Sequence, residues 1–450
     1  YVTKAKVGTD YVLSTNTDIY EYDLASKKTT NLTEGMMGYD TNPQYSKEGV
    51  LAWLSMAHDG NESDKNDLYI LKNGKRINLT AQWDNTIFSY RWSNDGKRIY
   101  LIAPTQGTEQ LFVVDVYSKN TNPRQLTQGV FDVNNIVGQT GDQLVVIRTD
   151  MNHAAELYTI NLKEKKKEYL SLTQLSHFND EQYKQIAQCP IKERIIKTTD
   201  GKDMHAWVIY PPDFDPNKKY PTLLYCQGGP QSIVSQFYSF RWNFQLMASQ
   251  GYIVIALNRR GLPGFGVEWN AQISGDWGGQ PMRDYLSAID DIAKEPYVDK
   301  DRLGAVGASY GGYSIYYLAG IHQKRFKTFI AHCGVFNLES MYGTTEELFF
   351  NNNEIGGAYW EERNVVAQKS YKEFNPIKKI NNWDTPILII HGGKDYRVPE
   401  EQGFQAFTAA QLKGIRSELL YFPDENHWVL QPQNGLLWQR TFFKWLKETL

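Results

Sequence analysis

The first 180 residues contain an internal repeat with a period close to 47 residues. The tripeptides Asn-Leu-Thr at 31–33, Asn-Leu-Thr at 78–80, Gln-Leu-Thr at 125–127 and Ser-Leu-Thr at 171–173 are 47, 47 and 46 residues apart. Each follows a strand-like segment of alternating character, such as Leu-Tyr-Ile-Leu at 68–71. Several short strands in each unit, at a period of about 40–50 residues, are typical of β-propeller blades. The 3.6-residue periodicity of helical repeats is absent.

The number of repeats is small for a closed propeller. Residues 1–185 correspond to roughly four blades, which is the lower limit for closure. An incomplete propeller would expose strand edges that proteins normally protect. The chain also begins at Tyr1, without an initiator Met or the charged and apolar regions of a signal peptide. We therefore expect residues 1–185 to be part of a larger propeller, with further blades and a signal peptide preceding Tyr1.

Near residue 191 the pattern changes to short apolar strands that alternate with longer helical segments. This alternation predicts a doubly wound, mostly parallel sheet over residues 186–450. The predicted strands are 222–226, 252–257, 302–306, 326–331, 386–390 and 418–422. The predicted helices are 281–294, 312–323, 400–414 and 436–450. We expect two domains, residues 1–185 and 186–450.

Composition excludes several classes of function. The chain of 450 residues has 48 Lys plus Arg against 51 Asp plus Glu, and a net charge of -3 provides no basic face for nucleic acid. The strongest apolar runs are strand-sized, so no membrane span is expected in this region. The three cysteines lack metal-ligand spacing and are odd in number, so neither a zinc site nor a disulfide framework is predicted.

The most specific motif is Gly-Ala-Ser-Tyr-Gly-Gly at 307–312. It follows a predicted strand and opens a predicted helix, which is the context that G-x-S-x-G requires. A turn that projects a serine from the carboxyl end of a strand crowds its neighbours, and glycine is the residue that fits there. Ser309 is therefore the predicted nucleophile.

A nucleophilic serine needs a base, and the base needs a carboxylate that orients it. In α/β-hydrolases the order along the chain is Ser, Asp or Glu, then His. Asp395 follows the predicted strand 386–390 and His427 follows the predicted strand 418–422, so both lie where chemistry collects in open sheets. The competing residues fit less well: His391, His322 and His332 violate the order, and Asp424 and Glu425 are too close to His427 in sequence.

The oxyanion of acyl transfer needs two hydrogen-bond donors. The backbone N–H of Tyr310, the residue after the nucleophile, is one of them. The second is predicted in the loop Gln-Gly-Gly-Pro at 227–230, either from the backbone near Gly228 or from the side-chain amide of Gln227. A plain glycine turn is the alternative interpretation of this loop.

The order of these motifs resembles the prolyl oligopeptidase family of serine peptidases over nearly the whole chain. The resemblance rests on the propeller-like repeats, Gln-Gly-Gly-Pro, Asn-Arg-Arg-Gly at 258–261, Gly-Asp-Trp-Gly-Gly at 275–279, the serine motif and His-Gly-Gly-Lys-Asp-Tyr-Arg-Val-Pro at 391–399. It is strongest with the dipeptidyl-peptidase and acylaminoacyl-peptidase branches. The resemblance implies an α/β-hydrolase domain preceded by part of a β-propeller, and it supports Ser309, Asp395 and His427 as the triad.

The resemblance also implies residues that bind the substrate. Arg397 matches an arginine that holds a substrate carbonyl near the amino end of the peptide. Tyr313, Phe336 and Tyr342 are candidates for the pocket that accepts the residue before the cleaved bond, and core packing is the alternative for all three. No acidic pair that would anchor a substrate amino group is visible in residues 1–180, and the position of Glu346 and Glu347 relative to the substrate is left open.

The resulting hypothesis is a serine exopeptidase that releases N-terminal dipeptides from short peptides, without a metal or organic cofactor. An acylaminoacyl-peptidase or an oligopeptidase is the alternative on the same residues. A carboxylesterase is disfavoured because esterases rarely carry a propeller, and a catalytically silent binding protein because all triad positions are filled. The resemblance implies a secreted or periplasmic location, and homodimerisation is left open.

Overall fold

The computed structural model describes residues 2–5, 12–164 and 168–450. The chain forms two compact units. The first comprises Tyr1–Ile186 together with Ser235–Tyr238 and Pro263–Ala271, and the second comprises Ala187–Val234, Ser239–Leu262 and Gln272–Leu450. Two short segments from the second half of the sequence therefore belong to the first unit.

The first unit is built from four antiparallel sheets that follow one another along the chain. One has three strands, β1 (Val2–Ala5), β2 (Thr17–Tyr22) and β3 (Thr29–Asn31). The second has β4 (Asp40–Tyr45), β5 (Leu51–Ser55), β6 (Asp67–Lys72) and β7 (Lys75–Asn78). The third has β8 (Ser89–Trp92), β9 (Arg98–Thr105), β10 (Thr108–Asp115) and β11 (Arg124–Gln125). The fourth has β12 (Asp132–Thr140), β13 (Gln143–Asp150), β14 (His153–Asn161) and β15 (Leu172–Gln174).

Two short helices and three apolar clusters complete the described part of the first unit, and the smallest cluster joins Ile19 of β2 to Leu51 and Trp53 of β5. The helices are α1 (Asp180–Tyr183) and α3 (Val267–Ala271). Buried side chains of β5, β6, β8, β9 and β10 form one cluster, and those of β9, β10, β12, β13 and β14 form another. Each sheet thus packs against the next one along the chain through alternating inward-facing residues.

The repeated tripeptides have a hydrogen-bonding role at the edge of each sheet. A hydroxyl accepts the backbone N–H of an earlier strand in each repeat: Thr33 from Ile19, Thr80 from Leu68, Thr127 from Leu111 and Ser176 from Leu157. The fourth repeat is therefore Gln-Leu-Ser at 174–176, and our assignment of Ser-Leu-Thr at 171–173 is wrong by three residues. Ser-Leu-Thr resembles the motif in sequence, but it lies at the start of β15.

The second unit contains a mixed sheet of eight strands, ordered β16-β17-β19-β18-β20-β21-β22-β23. The first two strands pair antiparallel, as do β17 and β19, and all other pairs are parallel. The strands are β16 (Ile191–Lys197), β17 (Asp203–Ile209), β18 (Tyr220–Cys226), β19 (Ile253–Leu257), β20 (Val298–Ala308), β21 (Thr328–His332), β22 (Ile387–Gly392) and β23 (Ser417–Phe422). The prediction of a doubly wound, mostly parallel sheet is confirmed.

The helices of the second unit include the four that the sequence predicts. These are α4 (Gln280–Ile292), α5 (Tyr310–Ala319), α9 (Glu401–Leu412) and α10 (Pro432–Thr449). Four further helices, α2 (Phe244–Ser249), α6 (Leu338–Thr344), α7 (Leu348–Ile355) and α8 (Val365–Glu373), and a 3₁₀ helix at Pro376–Asn382 were not predicted. Among the described residues no helix is both long enough and apolar enough to cross a membrane.

A pair of buried carboxyl groups links β10 and β12 of the first unit. The backbone N–H of Glu109 donates to Asp132 Oδ1 at 2.8 Å, and the Ser235 hydroxyl donates to Asp132 Oδ2 at 2.6 Å. Burial raises the pKa of both Glu109 and Asp132, and the charge of Asp132 raises that of Glu109 further. The two groups therefore share a site in which full ionisation is unfavourable.

We predict that this pair makes the folded chain less stable as the pH rises. Each pKa is higher in the folded state, so the folded chain retains protons that the unfolded chain has released. The free energy of unfolding should fall from pH ~4 upward, through the raised pKa values. Glu109→Gln should reduce this fall, with a gain on the order of 1 kcal/mol at alkaline pH.

Urea unfolding of both proteins between pH 5 and pH 9 measures the difference. Glu34→Gln is the matched control, because Glu34 is an exposed carboxylate of the same unit. Equal pH dependence in Glu109→Gln and Glu34→Gln would contradict the prediction.

Candidate active site

Ser309 lies in a strained turn between β20 and α5. Strand β20 ends at Ala308 and the helix begins at Tyr310, so one residue makes the connection. Ser309 has φ 60° and ψ -123°, a conformation that residues with a Cβ rarely adopt. Its backbone N–H donates to the His332 carbonyl at 3.0 Å, which fixes the turn to the end of β21. This is the geometry that the G-x-S-x-G motif predicts.

The glycines of the motif permit close backbone approach. A Cβ on Gly311 would collide with the Cys226 carbonyl oxygen at the end of β18. A Cβ on Gly312 would lie 2.6 Å from the Gly334 Cα, closer than side chains pack. The helix N-terminus is therefore packed directly against the ends of two neighbouring strands, and side chains at these positions would push the serine out of place.

Asp395 and His427 form a buried acid–base pair. His427 Nδ1 lies 2.7 Å from Asp395 Oδ2, and the two residues are 6% and 3% exposed. The other oxygen, Asp395 Oδ1, accepts the backbone N–H groups of Arg397 and Val398 at 3.1 and 2.9 Å. Because the carboxylate holds Nδ1–H, the other ring nitrogen, Nε2, is left to accept a proton.

The surroundings of His427 make it a stronger base. Burial disfavours the charged imidazolium, but the Cys333 sulfur and the Asp395 carboxylate favour it, and the net effect raises the pKa of His427 above its ordinary value. The His332 carbonyl accepts the N–H of Ser309. The next residue is Cys333, and the Cys333 Sγ lies 3.9 Å from His427 Nε2. The serine and the histidine therefore converge on the carboxyl end of β21.

The competing histidines have other partners. His391 Nε2 is 2.7 Å from the Val398 carbonyl, the Trp438 indole donates to His332 Nδ1, and His322 Nε2 is 3.2 Å from the Thr385 hydroxyl. These contacts fix all three rings inside the sheet and helix packing.

The competing acids are also engaged elsewhere. Asp424 is ion-paired with Lys394 at 2.9 Å. Glu425 accepts the backbone N–H groups of Leu430 and Gln431 and the Asn434 side-chain amide. The arrangement singles out Asp395 as the carboxylate on the His427 ring.

The predicted oxyanion loop lies beside Ser309. A Cβ built on Gly228 would be 3.5 Å from the Ser309 Cβ and 3.0 Å from the Ala308 carbonyl, so the loop backbone passes directly over the turn. The Gln227 side chain accepts the Tyr225 hydroxyl at 2.7 Å and donates to the Ile233 carbonyl at 3.3 Å. Our alternative that the Gln227 amide holds the oxyanion is therefore disfavoured, and the backbone near Gly228 is the better placed group.

Arg259 fixes this loop, a role that the sequence analysis missed. Its guanidinium is fully buried and donates to the Gln227 and Pro230 carbonyls, each at 3.2 Å, and to the Tyr285 hydroxyl at 2.9 Å. It also lies over the Tyr310 ring, 4.4 Å from the centroid. One side chain thus ties the oxyanion loop to the first residue of α5. Asn-Arg-Arg-Gly appeared only as a family motif, and no spacing in the sequence indicates this contact.

The aromatic candidates for the substrate pocket have different environments. Tyr313 and Phe336 are both fully buried: the Tyr313 hydroxyl donates to the Phe374 carbonyl, and Phe336 packs on Tyr316 and Trp383. This packing supports the core alternative for Tyr313 and Phe336.

Tyr342 is 7% exposed, and its hydroxyl donates to Asn352 at 2.9 Å. Its ring contacts the more exposed Tyr359 and Trp360. Tyr342 therefore remains the candidate that has an accessible aromatic neighbourhood.

Arg397 lies next to the acid–base pair and carries an acidic partner. Its guanidinium is 2.7 Å from Glu347 and lies 5.3 Å from the centre of the Trp428 ring, which directly follows His427. Glu347, one of the Glu-Glu pair, contacts Arg397, and the backbone N–H of Glu346 donates to the Tyr396 carbonyl, so the pair lies beside the loop that follows Asp395. Charged and aromatic groups therefore line the loop that follows Asp395.

The sheet, the strained serine and the histidine–aspartate pair define a hydrolase of the α/β type. Residues 238–450 match the prolyl oligopeptidase family. Residues 238–450 therefore form a domain of the prolyl oligopeptidase family.

The chain is similar over nearly its whole length to curated dipeptidyl-peptidases. Dipeptidyl-peptidase 5 of Porphyromonas gingivalis is 51% identical over 453 residues, which cover 100% of this chain and 65% of that protein. Dipeptidyl-peptidase 5 of Schizosaccharomyces pombe is 33% identical over 441 residues, which cover 96% of this chain and 62% of that protein. The chain therefore spans less than two thirds of the length of these relatives.

The fold is also found in a solved structure. An acylaminoacyl peptidase of Pyrococcus horikoshii superposes with a TM-score of 0.85 at 21% identity, covering 100% of this chain and 68% of that one. At this identity the likeness establishes the fold.

We predict that Ser309→Ala abolishes hydrolysis of dipeptidyl chromogenic amides and leaves the fold intact. Loss of a nucleophile that works with a base and an oxyanion site lowers turnover by about a thousandfold or more. Alanine keeps the Cβ that the strained turn already accommodates, so circular dichroism and the unfolding midpoint should be unchanged.

Ser287→Ala, in α4, is the matched serine control and should retain full activity. Substantial turnover by Ser309→Ala would show that another group is the nucleophile.

Proposed function

We propose that the chain is the catalytic part of a serine dipeptidyl peptidase that releases dipeptides from the amino end of short peptides. The observation that carries this proposal is the buried Asp395–His427 pair in the same sheet unit as the strained turn at Ser309. The names of the similar proteins from Porphyromonas gingivalis and Schizosaccharomyces pombe support the substrate class.

In the proposed reaction Ser309 attacks the carbonyl of the second peptide residue while His427 Nε2 takes the hydroxyl proton. The negative oxygen that forms is held by the Tyr310 N–H and by the backbone near Gly228. The first N–H groups of a helix have no partner within the helix, which makes Tyr310, at the start of α5, suited to this task. His427 then gives its proton to the leaving amine, and water repeats the sequence on the acyl-enzyme.

The loop after Asp395 is the proposed site for the amino end of the substrate. The guanidinium fork of Arg397 suits a peptide carbonyl, and its contact with Glu347 limits its movement. Asp395 Oδ1 accepts the backbone N–H of Arg397, so the backbone of Arg397 is held beside the acid of the triad. In this proposed binding mode, a peptide held at Arg397 presents its second carbonyl to Ser309.

The four sheets of the first unit are the proposed blades of a partial β-propeller. Their strand number, antiparallel order and repeated edge hydrogen bonds support this interpretation. In that role the unit would admit short, unfolded peptides and exclude folded proteins.

We predict that free dipeptidyl 4-nitroanilides are hydrolysed at least about tenfold better, by kcat/KM, than their N-acetylated counterparts. Acetylation removes the charge of the terminal amine and adds bulk at the end of the substrate that a dipeptidyl peptidase must accommodate. Acetyl-aminoacyl anilides and short-chain esters complete the panel. Preference for acetyl-aminoacyl anilides would indicate an acylaminoacyl-peptidase, and hydrolysis of the esters alone would indicate a carboxylesterase.

We further predict that Arg397→Lys lowers kcat/KM for free dipeptidyl anilides by about 10–100-fold. Lysine keeps the charge but loses the planar fork, and a charge-assisted hydrogen bond is worth about 1.5–3 kcal/mol. Most of the loss should appear in KM if Arg397 binds substrate and transition state equally.

Arg440→Lys, at an exposed position of α10, is the matched control and should behave as the parent chain. Unchanged kinetics in Arg397→Lys would remove Arg397 from the substrate site.

A further inference from the structure

Among the described residues, one group of three side chains has the spacing and chemistry to hold a metal ion. It consists of Cys333, Asp395 and His427, whose potential ligand atoms all lie within 4.8 Å of one another. All three residues are buried. The proposed reaction uses Asp395 and His427, and the Cys333 thiol neither forms a bond nor transfers a proton in it.

The position of Cys333 is specific. Its Sγ lies 3.9 Å from His427 Nε2 and 3.6 Å from the His427 carbonyl oxygen. Its backbone has φ 40°, in the left-handed region that residues with a Cβ seldom occupy. The Cys333 N–H donates to the Ile390 carbonyl at 2.8 Å, which holds this backbone in place. The thiol is therefore fixed beside the ring nitrogen that acts as the base.

The distance between sulfur and nitrogen suits zinc. Zinc binds thiolate sulfur at about 2.3 Å and imidazole nitrogen at about 2.0–2.1 Å in tetrahedral geometry, which places the two ligand atoms about 3.6 Å apart. The observed 3.9 Å needs an adjustment of about 0.3 Å. Magnesium and calcium prefer oxygen ligands, whereas thiolate and imidazole together favour zinc.

Asp395 supplies the outer partner that zinc-binding histidines use. Its Oδ2 lies 2.7 Å from His427 Nδ1, so the carboxylate, the histidine and an ion at Nε2 would form the carboxylate–histidine–zinc arrangement. A thiolate at Cys333 and the carboxylate of Asp395 also bring two negative charges to a buried place, which matches a divalent cation. Asp395 stays on the Nδ1 side and is an outer partner, and water completes the coordination.

We propose that Cys333 and His427 form an inhibitory zinc site in the active centre. Zinc at Nε2 would occupy the position that receives the Ser309 proton, so bound metal and catalysis would exclude each other. On binding, the metal replaces the proton of the Cys333 thiol and any proton on His427 Nε2, and these protons leave to solvent; the two protein–metal bonds replace two of the water ligands of the free ion. This inference rests on the proposed function for its effect on activity and on the three side chains alone for binding.

Direct binding is tested with cobalt, which substitutes for zinc and reports sulfur ligation by a thiolate-to-metal charge-transfer band. The probe is Co²⁺ added to the full chain carrying Ser309→Ala, so that the result does not depend on turnover. We expect one equivalent of Co²⁺ with this band, and displacement of Co²⁺ by Zn²⁺. Adding Cys333→Ala should eliminate the band, whereas adding Cys189→Ala, which removes a buried cysteine elsewhere in the same unit, should keep it.

Inhibition is tested on the active chain with a dipeptidyl 4-nitroanilide. We expect Zn²⁺ to inhibit reversibly, with recovery on addition of a chelator. Cys333→Ala should raise the Zn²⁺ concentration for half-inhibition by about tenfold or more, relative to its own uninhibited rate, because even outer partners of zinc ligands contribute 10–100-fold to affinity. Cys333→Ser, which keeps the size of the side chain, should show the same rise, and thermal unfolding verifies that each variant is folded.

The two assays separate the two proposals. A cobalt band that survives Cys333→Ala, or equal zinc inhibition of the parent, Cys333→Ala and Cys333→Ser chains, would overturn the zinc site. Absence of anilide hydrolysis in the parent chain would overturn the proposed function, while the cobalt assay would still report on the site.

Discussion

The packing of the strand–helix turn at Ser309 is the constraint on which the rest of the catalytic unit depends. A residue at φ 60° costs on the order of 1–3 kcal/mol, and such strain persists only where the surroundings determine the backbone. Here the His332 carbonyl holds the N–H of Ser309, and Gly311 permits contact with the Cys226 carbonyl. The ends of three neighbouring parallel strands, β18, β20 and β21, therefore all contact this one turn.

The same contacts explain why the loops are ordered around the serine. Gly228 lies against the turn, and Arg259 ties its loop to the ring of Tyr310. Arg259 is fully buried and its charge is distributed over backbone carbonyls and aromatic faces, so it acts as a structural clamp. The proposed oxyanion donors consequently depend on a buried side chain that acts through backbone carbonyls and the Tyr310 ring.

Much of this site follows from local sequence, because each of its parts has a local cause. The glycines around Ser309 and the strand ends before Asp395 and His427 are short-range features from which the turn and the pair were predicted, and the structure places His427 Nδ1 2.7 Å from Asp395 Oδ2. The missed features need long-range contacts. Nothing near Arg259 in sequence indicates that it reaches Gln227, and Cys333, which directly follows β21, lies 94 residues from His427 along the chain. The fourth repeat was misplaced for a related reason. The sequences at 171–173 and 174–176 are similar, and only the hydrogen bond from the Leu157 N–H to the Ser176 hydroxyl distinguishes them.

The assignment of Ser235–Tyr238 and Pro263–Ala271 to the first unit has a consequence for synthesis of the chain. The Ser235 hydroxyl donates a hydrogen bond to the Asp132 carboxyl, and the Asn270 side-chain amide donates one to the Ser63 carbonyl. Because chains emerge from the ribosome amino end first, the sheets of the first unit form before these partners exist. About one hundred further residues must therefore be synthesised after Asp132 before Ser235 can donate its hydrogen bond. Folding of the first unit is complete only after part of the second unit has been synthesised.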